Sequence, residues 1–394
     1  MKLWTTVLLC WPFVARVSSA SDVTASTSLA LNLFQQLSTD ASDNILFSPF
    51  GVSVSLAILS VAAKGETTKE IESVFGSNAD QVRKDLRESF KSLCPTNPPA
   101  GPNSPIALAN LLVLKQGFKA KLLPQFLSFV SGDRPFKTSV AEVKEDLVSR
   151  SNDWVRAETK GKITKVLDDD SADKDTEILL VNAIHFKGEW REKFESRHNY
   201  NGSFRNADGT TTDAVFMFKR RHFEYALDAK LKTHVISLPY EGVKARLILL
   251  IPLTKDGVRT LGSALAAPEW QRIVGSLRNT SVALSMPKFS VSKRYNLVKP
   301  LEQLGLKNIF TDKADLSGML ESNDLFVSDF EQVSKLKVDE EGSEADSATL
   351  MRISGKASEE GESVTVDHPF IFTVTVGPAD DVLLMGQVNK LSLL

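Results

Sequence analysis

The stretch that decides the fold reads Val338-Asp339-Glu340-Glu341-Gly342-Ser343-Glu344-Ala345-Asp346-Ser347-Ala348-Thr349. It closes a strand-like run and then passes into small and acidic residues with almost nothing to bury, which alone describes a solvated loop. The alternation says more. Ser343, Ala345, Ser347, Thr349, Met351, Ile353 and Gly355 are all small or apolar, whereas Glu344, Asp346 and Arg352 fall on the other face of an extended chain. Such a segment can stand exposed and still be a competent strand once a sheet offers it a place.

Outward from this stretch the chain changes character. Ala30, Leu33, Phe34 and Leu37 recur at helical spacing behind Ser26 and Ser28, which the sequence offers as caps, and a second helix is expected over 53–63. Residues 66–93 predict two more helices divided near Gly76, and the Pro- and Asn-rich run from Cys94 to Pro105 reads as a surface loop before a strand at 107–114. Strands prevail later, at 177–186, 235–238, 245–251, 281–286 and 382–388, with helices at 143–157 and 295–304. The elements mix without strict βαβα alternation, so an α+β fold in a single domain, 21–394, is expected rather than a doubly wound parallel sheet.

Residues 1–20 are read as a signal peptide: Lys2 precedes an apolar stretch ending at Ala15, and Ser18, Ser19 and Ala20 are small enough for cleavage after Ala20. A secreted, extracellular protein is the expectation. Cys10 would leave with the leader, so Cys94 alone remains and neither an internal disulfide nor a multi-cysteine zinc site can form. Asn201-Gly202-Ser203 and Asn279-Thr280-Ser281 match the N-glycosylation pattern. The net charge of −2 lacks the basic excess that nucleic acid demands, and beyond the leader no apolar run is long enough for a membrane span. A soluble monomer is expected.

No enzyme motif appears. A G-x-S-x-G elbow, an H-E-x-x-H zinc helix, a phosphate-cradling G-x-x-x-x-G-K-[ST] and a G-x-G-x-x-G behind a strand are all missing. His185, His198, His222, His234 and His368 lie apart in sequence and are read as structural or surface histidines. No metal, no cofactor and no catalysis are expected.

Two linked motifs then carry a family resemblance. Glu340-Glu341-Gly342-Ser343-Glu344-Ala345 with its small-residue continuation resembles the reactive-loop hinge of inhibitory serpins, and Val366-Asp367-His368-Pro369-Phe370-Ile371-Phe372 resembles their C-terminal signature. Asn44-Ile45-Leu46-Phe47-Ser48-Pro49, Asn152-Asp153-Trp154, Thr159-Lys160-Gly161-Lys162-Ile163, the run from Leu180 to Trp190 and Met286-Pro287-Lys288-Phe289 resemble further serpin blocks in serpin order. The resemblance implies three β-sheets, eight or nine helices and an exposed reactive loop over about 340–364. It also implies suicide inhibition, in which a serine protease is trapped as a covalent acyl complex when the cut loop inserts into the large sheet. Among secreted serpins the loop and leader resemble those of arthropods, including tick salivary proteins.

In that family the primary specificity residue lies fourteen positions beyond the hinge glycine, which places the reactive bond at Lys356–Ala357, with Arg352 as its rival. Both point to trypsin-like proteases, whose specificity pocket holds an aspartate. A carrier, storage or chaperone serpin is the alternative, and the small inward residues of the hinge speak against it. The resemblance marks Ser48, Asn182, Trp190 and Gln332 as shutter and breach residues of the large sheet, and two departures fall in the shutter near Ser48 and Asn182. Gln332 stands where a histidine is usual and Gly51 where a serine is common. Asp346 replaces the usual alanine on the solvent-facing side. Arg83, Arg87 and Lys91 recur every four residues on a helix that resembles the heparin-binding helix of some serpins, and Lys219-Arg220-Arg221 adds a second basic cluster, so a glycosaminoglycan is the one cofactor considered.

Overall fold

The computed structural model describes residues 24–39, 42–93, 105–132, 134–169, 171, 176–321, 325–342 and 361–392. The leader and its cleavage site, Cys94, the hinge residues Ser343, Glu344, Ala345, Asp346, Ser347, Ala348 and Thr349, and Arg352, Lys356 and Ala357 lie outside the described residues.

Nine α-helices are found among the described residues: α1 (Ala25–Leu37), α2 (Pro49–Ala62), α3 (Gly65–Phe75), α4 (Ala79–Leu93), α5 (Pro124–Val130), α6 (Leu147–Glu158), α7 (Val258–Ala264), α8 (Ala267–Ser276) and α9 (Val298–Gln303). The cap of α1 is Thr24 rather than Ser26 or Ser28: its hydroxyl accepts from the Thr27 amide at 3.2 Å, while Ser26 is buried and receives the Ser53 hydroxyl at 3.3 Å. α2 begins on Pro49, where a missing N–H costs nothing, behind Ser48, whose hydroxyl accepts from the Gly51 amide. Buried over most of its length, α2 is a central core helix, which explains the lack of a polar stripe in its sequence.

The strands are β1 (Ile45–Phe47), β2 (Ile106–Leu114), β3 (Ser139–Glu142), β4 (Ile178–Phe186), β5 (Tyr200–Arg205), β6 (Thr211–Asp228), β7 (Thr233–Pro239), β8 (Ala245–Pro252), β9 (Arg278–Pro287), β10 (Phe289–Asn296), β11 (Val327–Val338), β12 (Glu362–Thr365), β13 (Phe370–Val376) and β14 (Asp381–Val388). Three sheets were expected, but the described strands form two, one of nine strands and one of five. β6 is long enough to pair β5 and β9 in one group and then β7 in the next, so β5, β6, β9 and β12 continue into β7, β8, β13, β14 and β1 as one hydrogen-bonded surface.

The separate five-stranded sheet runs β10-β11-β4-β2-β3. Both of its faces are covered. Leu180 and Ile184 of β4 enter the main core with α2, whereas Leu179, Val181 and Ala183 meet Leu147 and Val155 of α6 in a smaller core. A strand buried on both sides needs a continuous apolar run, which is why 177–186 shows no alternation. No helix among the described residues is long and apolar enough to cross a membrane.

Candidate functional site

At the centre of the large sheet β11 runs parallel to β4, Val327 to Lys335 against Ile178 to His185. The other described pairs of this sheet are antiparallel except β2 with β3. A segment entering between β11 and β4 would lie antiparallel to both and exchange one parallel ladder for two antiparallel ones, a pairing slightly more favourable per residue. Hydrogen bonds hold this seam closed at its middle and at the end from which the loop departs.

The middle is a buried amide cluster. The Ser48 amide donates to Gln332 Oε1 at 2.8 Å, and Gln332 Nε2 donates to Ser48 O and to Asn182 Oδ1, both at 3.0 Å. Asn182 Nδ2 donates to Asn110 Oδ1 at 2.9 Å, and Ser48 Oγ to Leu383 O at 2.7 Å. Gln332 lies on β11, Asn182 on β4 and Asn110 on β2, so the chain of amides crosses the seam and ties it to the head of α2. Gln332 thus uses both ends of its amide, one more donor than a neutral histidine offers.

The upper end is a clasp around the start of the loop. Trp190 N donates to Glu341 O and its indole Nε1 to Asp339 O, each at 2.8 Å, while Phe194 N donates to Glu340 O at 2.9 Å. Glu189 bridges Gly342, where φ is +148° and a Cβ would stand 2.0 Å from Gly188 O; only glycine fits. Trp190 is locked by stacking on Tyr240, 4.7 Å between ring centres. The buried carboxylate of Glu340 receives Lys288 Nζ at 2.6 Å and Asn199 Nδ2 at 2.5 Å. Burial opposes its ionisation, but these hydrogen bonds prevail and hold its pKa below the usual carboxylate range. Glu341, on the rim, pairs with Lys193, an exposed contact of small energetic weight.

The loop returns through Gly361 into β12, parallel to β9 with Glu362 opposite Val282. Both ends of the segment 343–360 are therefore anchored in sheets, and the interval between them holds the expected reactive bond.

The cations of α4 are less available than their spacing promised. Arg83 pairs with Asp80 and the Ser60 hydroxyl, with a side chain only 16 % exposed, and Arg87 lies over the Phe136 ring at 4.8 Å. Lys91 alone of the three is largely exposed, with Glu88 at 2.8 Å. Asn201 on β5 and Asn279 on β9 are both exposed, as glycan acceptors must be. No group of three His, Cys, Asp or Glu side chains among the described residues is placed to hold a metal ion. Sequence reasoning missed Lys288 and Asn199, because a counter-charge for Glu340 drawn from distant strands leaves no local pattern.

Residues 24–391 match the family model described as serpin, serine protease inhibitor. The chain is a serpin. Curated relatives include leukocyte elastase inhibitor A of Mus musculus, 33% identical over 92% of this chain and 98% of that protein, and Iripin-1 of Ixodes ricinus, 30% identical over 93% and 94%. Among solved structures it is similar to Serpin48, a highly specific serpin of the insect Tenebrio molitor, with TM-score 0.79 and 25% identity over 93% of this chain and 97% of that one. Uncleaved ovalbumin superposes with TM-score 0.81 at 23% identity, over 94% of the serpin and all of ovalbumin, a likeness of fold. The seam, the clasp and the sheet-anchored ends of 343–360 thus lie in a chain of the serpin family.

Proposed function

We propose that the protein is a secreted suicide substrate that traps trypsin-like serine proteases after cleavage of Lys356–Ala357. The observation that carries this reading is the closed parallel seam between β11 and β4, directly continuous with a hinge whose inward positions are all small. The protease attacks the loop as substrate and forms an acyl-enzyme through its serine. Freed at the cut, the segment from Ser343 enters the seam, and about fifteen residues at roughly 3.3 Å each carry the bound protease about 50 Å. Distortion of the protease's catalytic groups before water completes deacylation then makes the complex permanent.

Lys356 supports the trypsin-like class because its ammonium suits an aspartate-lined pocket. The mammalian relatives are named for elastase, whose small slot would not admit Lys356; for that protease the cut would lie elsewhere in 343–360. Export rests on the reading of residues 1–20 and accords with the exposed acceptors Asn201 and Asn279.

The test is to mix the purified protein with trypsin, other trypsin-like proteases and elastase, resolve the products on denaturing gels, and read the cut by mass spectrometry. A denaturant-stable complex that forms with trypsin and is lost in Lys356→Ala is the expected result, with Arg352→Ala retaining it. Cleavage that leaves the protease fully active and yields no complex would replace this reading with that of a carrier, storage or chaperone serpin.

A further inference from the structure

β6 passes from β9 to β7 around Glu224 and Tyr225, and beside this change of partner lies a pocket of about 460 Å³. Four cationic side chains line it: Arg191, Arg221, Lys244 and Arg246. Only two lining carboxylates accompany them, Glu224 and Asp380, and Arg246 takes both. Its Nε and Nη2 donate to Asp380 at 2.8 and 2.6 Å, and its Nη1 to Glu224 at 2.6 Å. Arg221 shares Glu192, which lies outside the pocket lining, with Lys219. Arg191 and Lys244 have no carboxylate within ion-pair distance among the described residues.

The pocket lining therefore carries an excess of positive charge, which rests on Arg191 and Lys244. Burial first, and then repulsion from Arg191, pushes the Arg221 guanidinium below its ordinary value even though Glu192 pairs with it. Phe223 and Val243 supply an apolar wall beside these charges, room for the carbon skeleton of a ligand as well as its anionic group.

We propose that this pocket is a binding site for a sulfate or phosphate group carried on a larger ligand. Arg191, Arg221 and Lys244 supply the charge and the donors, and Arg246 stays fixed in the wall by its two carboxylates. A tetrahedral oxyanion suits this set because guanidinium forks and an ammonium can approach different oxygens of one group.

The site is joined to the loop hinge through the backbone. Arg191 N donates to Pro239 O at 3.0 Å, and Glu241 N to Glu189 O at 2.8 Å, so 189–191 is held against the β7–β8 connection. The same segment clasps Glu341 and Gly342 through Trp190 and Glu189. An anion drawn to Arg191 thus tightens a segment that holds the loop's first residues. Asn279, a glycan acceptor, also lines the pocket, so a glycan there would compete for entry. Binding at this pocket does not depend on how the loop is cut.

The test uses the full chain with its glycans removed, titrated calorimetrically at low and at physiological salt with a heparin-derived tetrasaccharide and, separately, with inorganic tripolyphosphate. Binding that weakens with salt is expected, and Arg191→Ala combined with Lys244→Ala should weaken it roughly tenfold or more, the scale of one or two charge-assisted hydrogen bonds. Lys91→Ala on α4 serves as the control and should change it by less than about twofold. An unchanged melting temperature shows that the double variant is folded. Binding of the tetrasaccharide alone identifies a sulfated glycan, and binding of tripolyphosphate alone a phosphate ligand. Failure of both probes, undiminished binding by the double variant, or a loss carried by Lys91→Ala overturns the site. Hydrogen exchange at 339–342 should slow on binding; unchanged exchange overturns the link to the hinge.

Discussion

Gly51 and Asn182 are fitted to one another: a Cβ at residue 51 would stand 2.1 Å from Asn182 Oδ1 and 2.8 Å from its Cγ. That same Oδ1 accepts from Gln332 at 3.0 Å, so glycine in α2 makes room for the amide that Gln332 bonds. Gly51 and Gln332, the two positions that the sequence resemblance singled out as departures, form one arrangement.

Coupled sites do not add. Gly51→Ser alone forces the Asn182 amide aside and should cost about 1–3 kcal/mol by overpacking. Gln332→His alone should cost a similar amount, about 1–3 kcal/mol, where a buried donor such as the Ser48 amide loses its partner. The double variant should cost clearly less than the sum. Thermal and urea unfolding of the four proteins decides this, and strict additivity would separate the two positions.

Glu340 is a buried charge at the root of the loop, facing Lys288, whose side chain is 16 % exposed. Removing one partner of such a pair strands the other, so Glu340→Ala should lose about 3 kcal/mol, and Glu340→Lys more, since it sets two ammonium groups together. Because the folded pKa lies below the ordinary one, Glu340 contributes stability above the ordinary carboxylate value, and this is lost as pH falls through the folded value. Acid unfolding monitored by circular dichroism should therefore show a shallower pH dependence in Glu340→Gln than in the unmodified protein.

Asp381 behaves in the opposite sense. It heads β14 and receives the hydroxyls of Thr24, ahead of α1, and Ser89 on α4. Burial raises its pKa despite those bonds, with Asp85 and Asp380 adding to the rise. A raised folded value means that the stability tied to the protonated form is complete below the ordinary carboxylate value and is lost as pH rises through the folded one. Asp381→Asn should then raise the melting temperature at neutral pH, with the gain shrinking in acid. A fall at neutral pH would mean that the two hydroxyl bonds outweigh burial.

Much of this was legible in the sequence because local patterns wrote it. Gly76 ends α3 at φ +64°, as the division of 66–93 required, and the apolar run of β4 announced a sheet covered on both faces. The cap of α1 was misplaced because Ser26 has a capper's chemistry but a buried position, and only the fold reveals that. The joining of two strand groups was hidden for a different reason: nothing local in 211–228 marks where β6 changes partners. Arg83 and Arg87 kept their helical spacing, yet Ser60 and Phe136, brought from other elements, determine what their charges meet.

Gly342 is held by Glu189, so under the proposed mechanism Ser343 would be the first residue to enter between β11 and β4. In the inserted strand, alternation would turn Ser343 inward, onto the core that holds Ile184 and Leu336. A guanidinium there would be buried without a counter-charge, a cost of several kcal/mol on the first step of insertion. Ser343→Arg should leave cleavage at Lys356 intact, because the cut precedes insertion, but slow insertion until deacylation wins. The expected gel shows cut serpin and active trypsin with little covalent complex. Glu344→Arg, on the solvent-facing side, should keep most of its complex. Equal loss in both variants would mean that total charge rather than the inward face governs the step, and equal retention would mean that the loop does not enter this seam from its first residue.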